Sequence, residues 1–168
     1  MNLKILSLVI IGVCILLPDV CYAFLEKDVH LLNMQNGLAD NTVSAVYKDK
    51  EGFVWFGTRN GLSRYDGRQI TNFEQSNSYP SISNLKEVFD GVLAFVDNGV
   101  FSAFDLKKER FLSVVSSSGQ GIPSRGILQK NDSLVWVISG SELHLMKRCA
   151  SKEGELRLRV QEKYTGWD

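Results

Sequence analysis

One stretch of this chain occurs, in altered form, three times. Val54-Trp55-Phe56-Gly57-Thr58-Arg59-Asn60-Gly61-Leu62-Ser63-Arg64-Tyr65-Asp66 is echoed 81 residues later by Val135-Trp136-Val137-Ile138-Ser139-Gly140-Ser141-Glu142-Leu143-His144-Leu145-Met146-Lys147. Trp falls on Trp, Leu on Leu, and a small polar turn on the Arg-Asn-Gly turn. Between them, Val92 to Asp105 repeats the Asn-Gly turn at an offset of 38 and the aromatic-Asp ending at 39. A period of about forty residues constrains the fold more than any composition, because a unit so short cannot bury its apolar face alone and must stack on its neighbours.

Each unit divides into four short runs of strand-forming residues. The first holds Val43 to Lys48, Phe53 to Thr58, Leu62 to Asp66 and Gln69 to Phe73, and the second Asn84 to Phe89, Val92 to Val96, Val100 to Asp105 and Arg110 to Val115. The third holds Gly126 to Lys130, Leu134 to Ser139, Glu142 to Lys147 and Leu156 to Gln161. Asn60-Gly61, Asp66-Gly67, Asp90-Gly91 and Asn98-Gly99 separate them, and such pairs favour the positive φ of tight hairpins. Four antiparallel strands per forty residues, repeated, predict an all-β fold: a partial β-propeller of about three to four four-stranded blades. Phe53, Trp55 and Leu62 are expected to fill the gap between neighbouring blades, with Gly57 allowing close packing. The predicted divisions are a leader over 1–23, an edge run and lead-in over 24–40, blades over 41–80, 81–121 and 122–161, and the start of a truncated further unit over 162–168.

The amino terminus carries a different signal. Met1 to Lys4 is a short basic start, Ile5 to Leu17 is an apolar run of thirteen residues, and Pro18 precedes a small-residue site ending at Ala23. This is the pattern of a secretory signal peptide cleaved after Ala23, since a spanning helix needs about twenty apolar residues. Membrane contact is then expected only through that segment, if it stays uncleaved. Cleavage leaves Cys149 as the single cysteine, which excludes an internal disulfide framework. Loss of Lys4 and Asp19 from 19 basic and 19 acidic residues keeps the formal charge at zero, so nothing favours a nucleic-acid partner.

The motif residues together resemble a known family. Asn36-Gly37-Leu38, Asn41-Thr42-Val43 with Val46-Tyr47-Lys48-Asp49, Gly52-Phe53-Val54-Trp55-Phe56-Gly57-Thr58, and Asn60-Gly61-Leu62 with Arg64-Tyr65-Asp66-Gly67 resemble the two-component regulator propeller repeat. The resemblance is strong over Leu31 to Phe73, weaker over Ser81 to Val115 and moderate over Ile122 to Lys147. It implies the exported, periplasmic sensor region of a bacterial hybrid histidine kinase, detecting a glycan or other small ligand and transducing its signal. The chain itself holds no kinase phospho-acceptor block, so it is read as a non-catalytic, amino-terminal piece of a truncated or split sensor. The remaining blades of that sensor are then a possible partner. The run Val29 to Asn33 is expected to complete a last blade.

Catalytic and metal chemistry find little support. His30 and His144 lie outside recognisable motifs, Cys149 has only Arg148 beside it, and Gly119-Gln120-Gly121 lacks the strand-to-helix setting of a phosphate cradle. Asp49, Asp66, Asp90, Asp97 and Asp132 fall at turns, where short polar side chains cap backbone groups. No catalytic, metal or cofactor residue is assigned, and ligand-binding residues stay unassigned, although the loops at Arg59-Asn60 and Asp97-Asn98 are placed to meet a ligand. The alternatives are a fragment of a sugar-active propeller enzyme, which would gather carboxylates or histidines at one end, and a truncated product without independent function.

Overall fold

The computed structural model describes residues 30–74 and 82–166. Residues 32–168 make one compact unit. The predicted signal peptide and cleavage site lie outside the described residues.

Among the described residues twelve strands follow one another: β1 (Val43–Lys48), β2 (Val54–Thr58), β3 (Gly61–Tyr65), β4 (Ile70–Phe73), β5 (Ile82–Phe89), β6 (Val92–Asp97), β7 (Val100–Asp105), β8 (Arg110–Ser116), β9 (Gly126–Asn131), β10 (Leu134–Ser139), β11 (Glu142–Cys149) and β12 (Glu155–Thr165). The first sheet has the order β1-β2-β3-β4. The second, β5-β6-β7-β8, and the third, β9-β10-β11-β12, are antiparallel meanders joined into one eight-stranded sheet, because β8 and β12 pair in parallel over Ser113–Ser116 and Glu155–Leu158. That pairing removes the two outer edges that would otherwise expose unpaired backbone groups.

The predicted turns explain the meanders. Asn98 and Gly99 have φ of 47° and 80°, the two positive values a tight hairpin requires. β5 starts two residues earlier than the sequence suggests, because Asn84 at φ 55° forms a bulge between Ser83 and Lys86 and lets pairing with β6 continue to Ile82–Asp97. β12 runs unbroken through Glu162 to Thr165, residues expected to open a further unit. Their pairing with Glu142–Leu145 holds them in the third sheet. Residues 30–32 form no strand, and the chain turns instead through a short 3-10 segment, Met34–Asn36, capped by the Asn33 side chain.

Alternation along the strands sends side chains to two interfaces. Between the first and second sheets lie Trp55, Leu62, Ile82, Leu85, Leu93, Phe95 and Phe104, with Ala45, Tyr47, Phe53, Phe73 and Phe111 packed against them. Between the second and third lie Val88, Phe89, Val92, Ala94, Val96, Phe101, Ala103, Val135, Val137, Met146, Leu156 and Leu158, among others. The second sheet is therefore the filling of a three-layer stack. Every residue of β6 is buried, which is why Val92 to Val96 reads as an unbroken apolar run instead of alternating.

Gly57 shows how close the first two layers come. A Cβ there would stand 2.5 Å from Ile82 Cγ2 and 3.3 Å from Ala45 Cβ. No larger residue fits without displacing β5.

Candidate functional site

Antiparallel meanders place their turns at two ends of each sheet, and cross-sheet bonds align those ends. The first end carries the β1–β2, β3–β4, β5–β6, β7–β8, β9–β10 and β11–β12 turns. Several of its charges pair with one another. Lys50 reaches Glu87 at 3.3 Å and Asp90 at 3.8 Å, Lys107 reaches Asp90 at 3.0 Å, and Arg64 reaches Glu109 at 2.5 Å. Lys108 and Arg110 meet Glu153 at 2.7 and 3.1 Å, tying the second sheet to the third.

These contacts shift the titrations in the sense that opposite charges dictate. The Lys107 ammonium holds the Asp90 carboxyl below its ordinary range, and Lys108, then Arg110, do the same to Glu153. Asp66 is lowered by backbone N–H groups of Gln69 and Arg68. Burial, then the Glu87 charge, raises the Tyr47 phenol. A pocket of ≈ 120 Å³ lies among Asp49, Lys50, Glu87, Asp90, Gly91 and Lys107. Its walls are held by bonds internal to the chain: the Glu87 carboxylate accepts from Gly91 N at 3.0 Å, and Asp49 accepts from Trp55 Nε1 at 2.8 Å and from the Glu51 and Phe53 amides.

The second end carries the β2–β3, β6–β7 and β10–β11 turns and the β8–β9 connection. Ser124 N donates to Gly99 O at 2.7 Å and Arg125 N to Ile138 O at 2.7 Å, which fixes the second and third sheets there. Ser44 Oγ donates to Ile82 O and fixes the first to the second. The two loops picked out in sequence, Arg59-Asn60 and Asp97-Asn98, both stand at this end. Asn60 Nδ2 donates to Ala39 O at 3.5 Å, and Arg59, Asn60, Asn98 and Arg125 are exposed. Arg125 was not foreseen, since a lone arginine after Pro123 carries no motif.

The turn carboxylates divide. Asp49 and Asp66 cap backbone amides as expected, and Asp105 joins them by accepting from the Lys107 and Lys108 amides. Asp90 instead forms ion pairs, and at the third sheet Asn131, not Asp132, caps Ser133 and Leu134. His144 is half-buried, with Nε2 2.9 Å from Glu142 Oε2, and His30 is exposed. Cys149 is a free thiol 3.7 Å from Lys147 O, and Arg148 lies over the Phe89 ring at 5.5 Å. Among the described residues no three His, Cys, Asp or Glu side chains gather as a metal site, and no helix is long and apolar enough to cross a membrane.

A third feature is the outward face of the third sheet. Trp136 stacks obliquely on Tyr164 with ring centroids 5.7 Å apart, Lys130 Nζ sits 5.1 Å from the Trp136 ring, and a hollow of ≈ 230 Å³ opens among Trp136, Leu143, Tyr164 and Gly166. The opposite outer face, that of the first sheet, is covered in part by the lead-in, with Val46 left exposed on it. Gly37 O accepts from Asn72 Nδ2 at 2.9 Å, Ala39 N donates to Ser63 Oγ at 3.1 Å, and Leu38 is buried.

Comparison with known proteins agrees with this architecture. Residues 37–60 match the model of the two component regulator propeller. The extracellular domain of BT4673 from B. thetaiotaomicron, described both as a one component and as a hybrid two component system, superposes with a TM-score of 0.60 at 17% identity, over 82% of this chain and 21% of its own. The chain thus spans about a fifth of that domain. KlHsv2 with its loop 6CD replaced by a Gly-Ser linker superposes with a TM-score of 0.54 at 14% identity, over 73% of this chain and 45% of its own. A search of curated proteins gives no match.

Proposed function

The chain carries a two component regulator propeller repeat at residues 37–60 in a stack of propeller-type sheets, and from that premise we infer that it is an exported, ligand-sensing portion of a two-component sensor, non-catalytic by itself. The observation that carries this reading is the coincidence of the repeat with a fold similar to the extracellular domain of a two-component system. Export through the predicted signal peptide, with cleavage after Ala23 into a periplasm, belongs to the same proposal.

The ligand belongs at the second end. Arg59 and Arg125 are exposed at this end, where the β2–β3, β6–β7 and β10–β11 turns and the β8–β9 connection lie. Planar, always-charged donors of this kind suit hydroxyl and carboxylate groups, as on an oligosaccharide with acidic sugars. The full chain is tested by thermal unfolding against neutral and uronate-containing oligosaccharides. A rise in Tm with a saccharide, abolished by Arg59→Ala with Arg125→Ala, supports sensing. No shift with any saccharide, or a shift the double variant keeps, overturns this ligand assignment, and turnover of the sugar would replace it by an enzyme.

A further inference from the structure

The outer edge of β12 is only half used. β8 runs parallel to it and pairs Ser113–Ser116 with Glu155–Leu158. There β8 leaves. Ser116 N donates to Gln120 O at 2.7 Å and Phe101 N donates to Ile122 O at 2.8 Å, so the chain turns back toward β7, on the side away from β12. β12 itself continues from Arg159 to Thr165, paired with β11 on one side and, among the described residues, with no strand on the other. All of these residues are exposed. A row of backbone N–H and C=O groups left in this state is a template for a further strand.

The side chains along the open edge differ on its two faces. Leu156 and Leu158, with β8 beside them, are 1% and 0% exposed, whereas Val160, next in the same row and without that neighbour, is 43% exposed. On the opposite face Arg159 stands directly across from Lys147, and like charges so placed repel. Both are exposed, and among the described residues neither has a carboxylate partner. The acids nearby are engaged: Glu155 holds Arg157 at 2.9 Å, and Glu162 accepts from the Tyr164 hydroxyl at 2.5 Å.

We propose that the β12 edge over Arg159–Thr165 captures an extended peptide of another protein, alternating apolar and acidic residues, as an added strand. Two observations select that occupant. The first is continuity: β8 already pairs with the start of the same edge, so the added strand prolongs an existing pairing. The second is complementarity. Successive residues of a strand point to opposite faces. A residue that covers Val160 on one face therefore has neighbours whose carboxylates meet Arg159 and Lys147 on the other. Main-chain bonds supply the affinity, and the alternate side chains supply the selection. The contact is made in the plane of the sheet and leaves its outward face untouched. This inference rests on strand pairing, not on the sensing reading.

The test titrates the full chain against a fluorescent peptide of alternating valine and glutamate, long enough to span the open edge, and against a counterpart with lysine for glutamate. Anisotropy is expected to show the glutamate peptide binding about tenfold more tightly, and Arg159→Glu is expected to reverse that order. Two further glutamate peptides carry N-methyl groups on one or the other alternate set of backbone nitrogens. Only alternate N–H groups of a strand face its neighbour, so one version should bind about a hundredfold more weakly while the other binds as the parent peptide does. The methylated pair needs no variant of the protein, and it decides the matter should Arg159→Glu fail to fold. Absence of binding, equal binding of the glutamate and lysine peptides, equal behaviour of the two methylated versions, or a charge order that Arg159→Glu leaves unchanged overturns the proposal. So does a dimer of the peptide-free chain in which the amides of residues 159–165 are protected from exchange, because a second copy is then the occupant.

Discussion

Trp55 and Trp136 are the same residue in the repeat and opposite residues in the fold. Trp55 is 1% exposed, stacked on Phe73 at 5.6 Å and tilted against Phe104 at 5.4 Å, with its indole N–H donated to Asp49. Among the described residues Trp136, half-buried, has only the Tyr164 ring as an aromatic neighbour, and Lys130 stands where Asp49 would stand. A lysine has no lone pair for an indole N–H, so it lies over the ring face instead. The difference teaches that the energetic role of a repeat residue comes from the neighbouring layer. Sequence equivalence fixes direction, and the next sheet supplies the burial.

The sharpest way to break this comparison is to truncate both. Trp55→Ala empties a closed site between two layers and should cost about 3 to 5 kcal/mol, enough to unfold much of the population. Trp136→Ala removes a ring already half in water and should cost about 1 kcal/mol. Urea unfolding of both variants measures the gap. Equal costs would mean that Trp136 belongs to a core as closed as that of Trp55.

The repeat, the twelve strands and the role of Phe53, Trp55, Gly57 and Leu62 were legible because each depends on local spacing: Asn-Gly turns, period-two runs, and a small residue where a layer comes close. The Asn84 bulge was not, since its positive φ gains its worth from β5–β6 pairing and from the Asn84 Nδ2 contact with Arg125 O at 3.4 Å. Nor was the β8–β12 junction, a parallel pairing between residues over forty positions apart that leaves no local mark. The second end was half legible. Arg59-Asn60 and Asp97-Asn98 declared themselves as turns, but only the alignment of sheets puts them at one end with Arg125.

Asp49 separates the two tryptophans next most strongly. Asp49→Ala strands the Trp55 indole N–H in a buried site and frees two turn amides, so a loss of about 2 to 3 kcal/mol is expected. Lys130→Ala, its repeat counterpart, should be within about 0.5 kcal/mol of the parent, as for other exposed positions. Chemical denaturation reads both, and a Lys130 cost matching that of Asp49 would show the two positions to be interchangeable.

Close approach gives a smaller, steric contrast. Gly57→Ala puts a methyl against Ile82 and should cost about 1 to 2 kcal/mol through displacement of β5. Ile82→Ala in the same chain should give part of that back relative to the sum of the single changes, because the two sites share one gap. Ile138→Ala on the open face should change little. A double-mutant cycle measures the coupling, and strict additivity would show that the layers are not in contact at Gly57.

The least effect is expected from the ionic ties between layers, where pH supplies the contrast. Glu153 is held by Lys108 and Arg110 with its carboxyl lowered from the ordinary value. A carboxyl lowered in the folded chain stabilises above its unfolded value, and that contribution is lost as pH falls through the folded one. Glu153→Gln should therefore lower Tm slightly at pH 7, and the difference from the parent should close as pH falls below about 4. Both side chains that hold Glu153 are solvent-accessible, so high salt should close the same gap at pH 7. The tie between the first two layers behaves differently. Arg64 sits against Phe53, Trp55 and Phe73 and keeps only 17% of its side chain exposed. Glu109→Gln should then leave a Tm deficit that salt screens less than it does at Glu153. Equal salt sensitivity of the two variants would place Arg64 in water and undo the distinction between a closed layer junction and an open one.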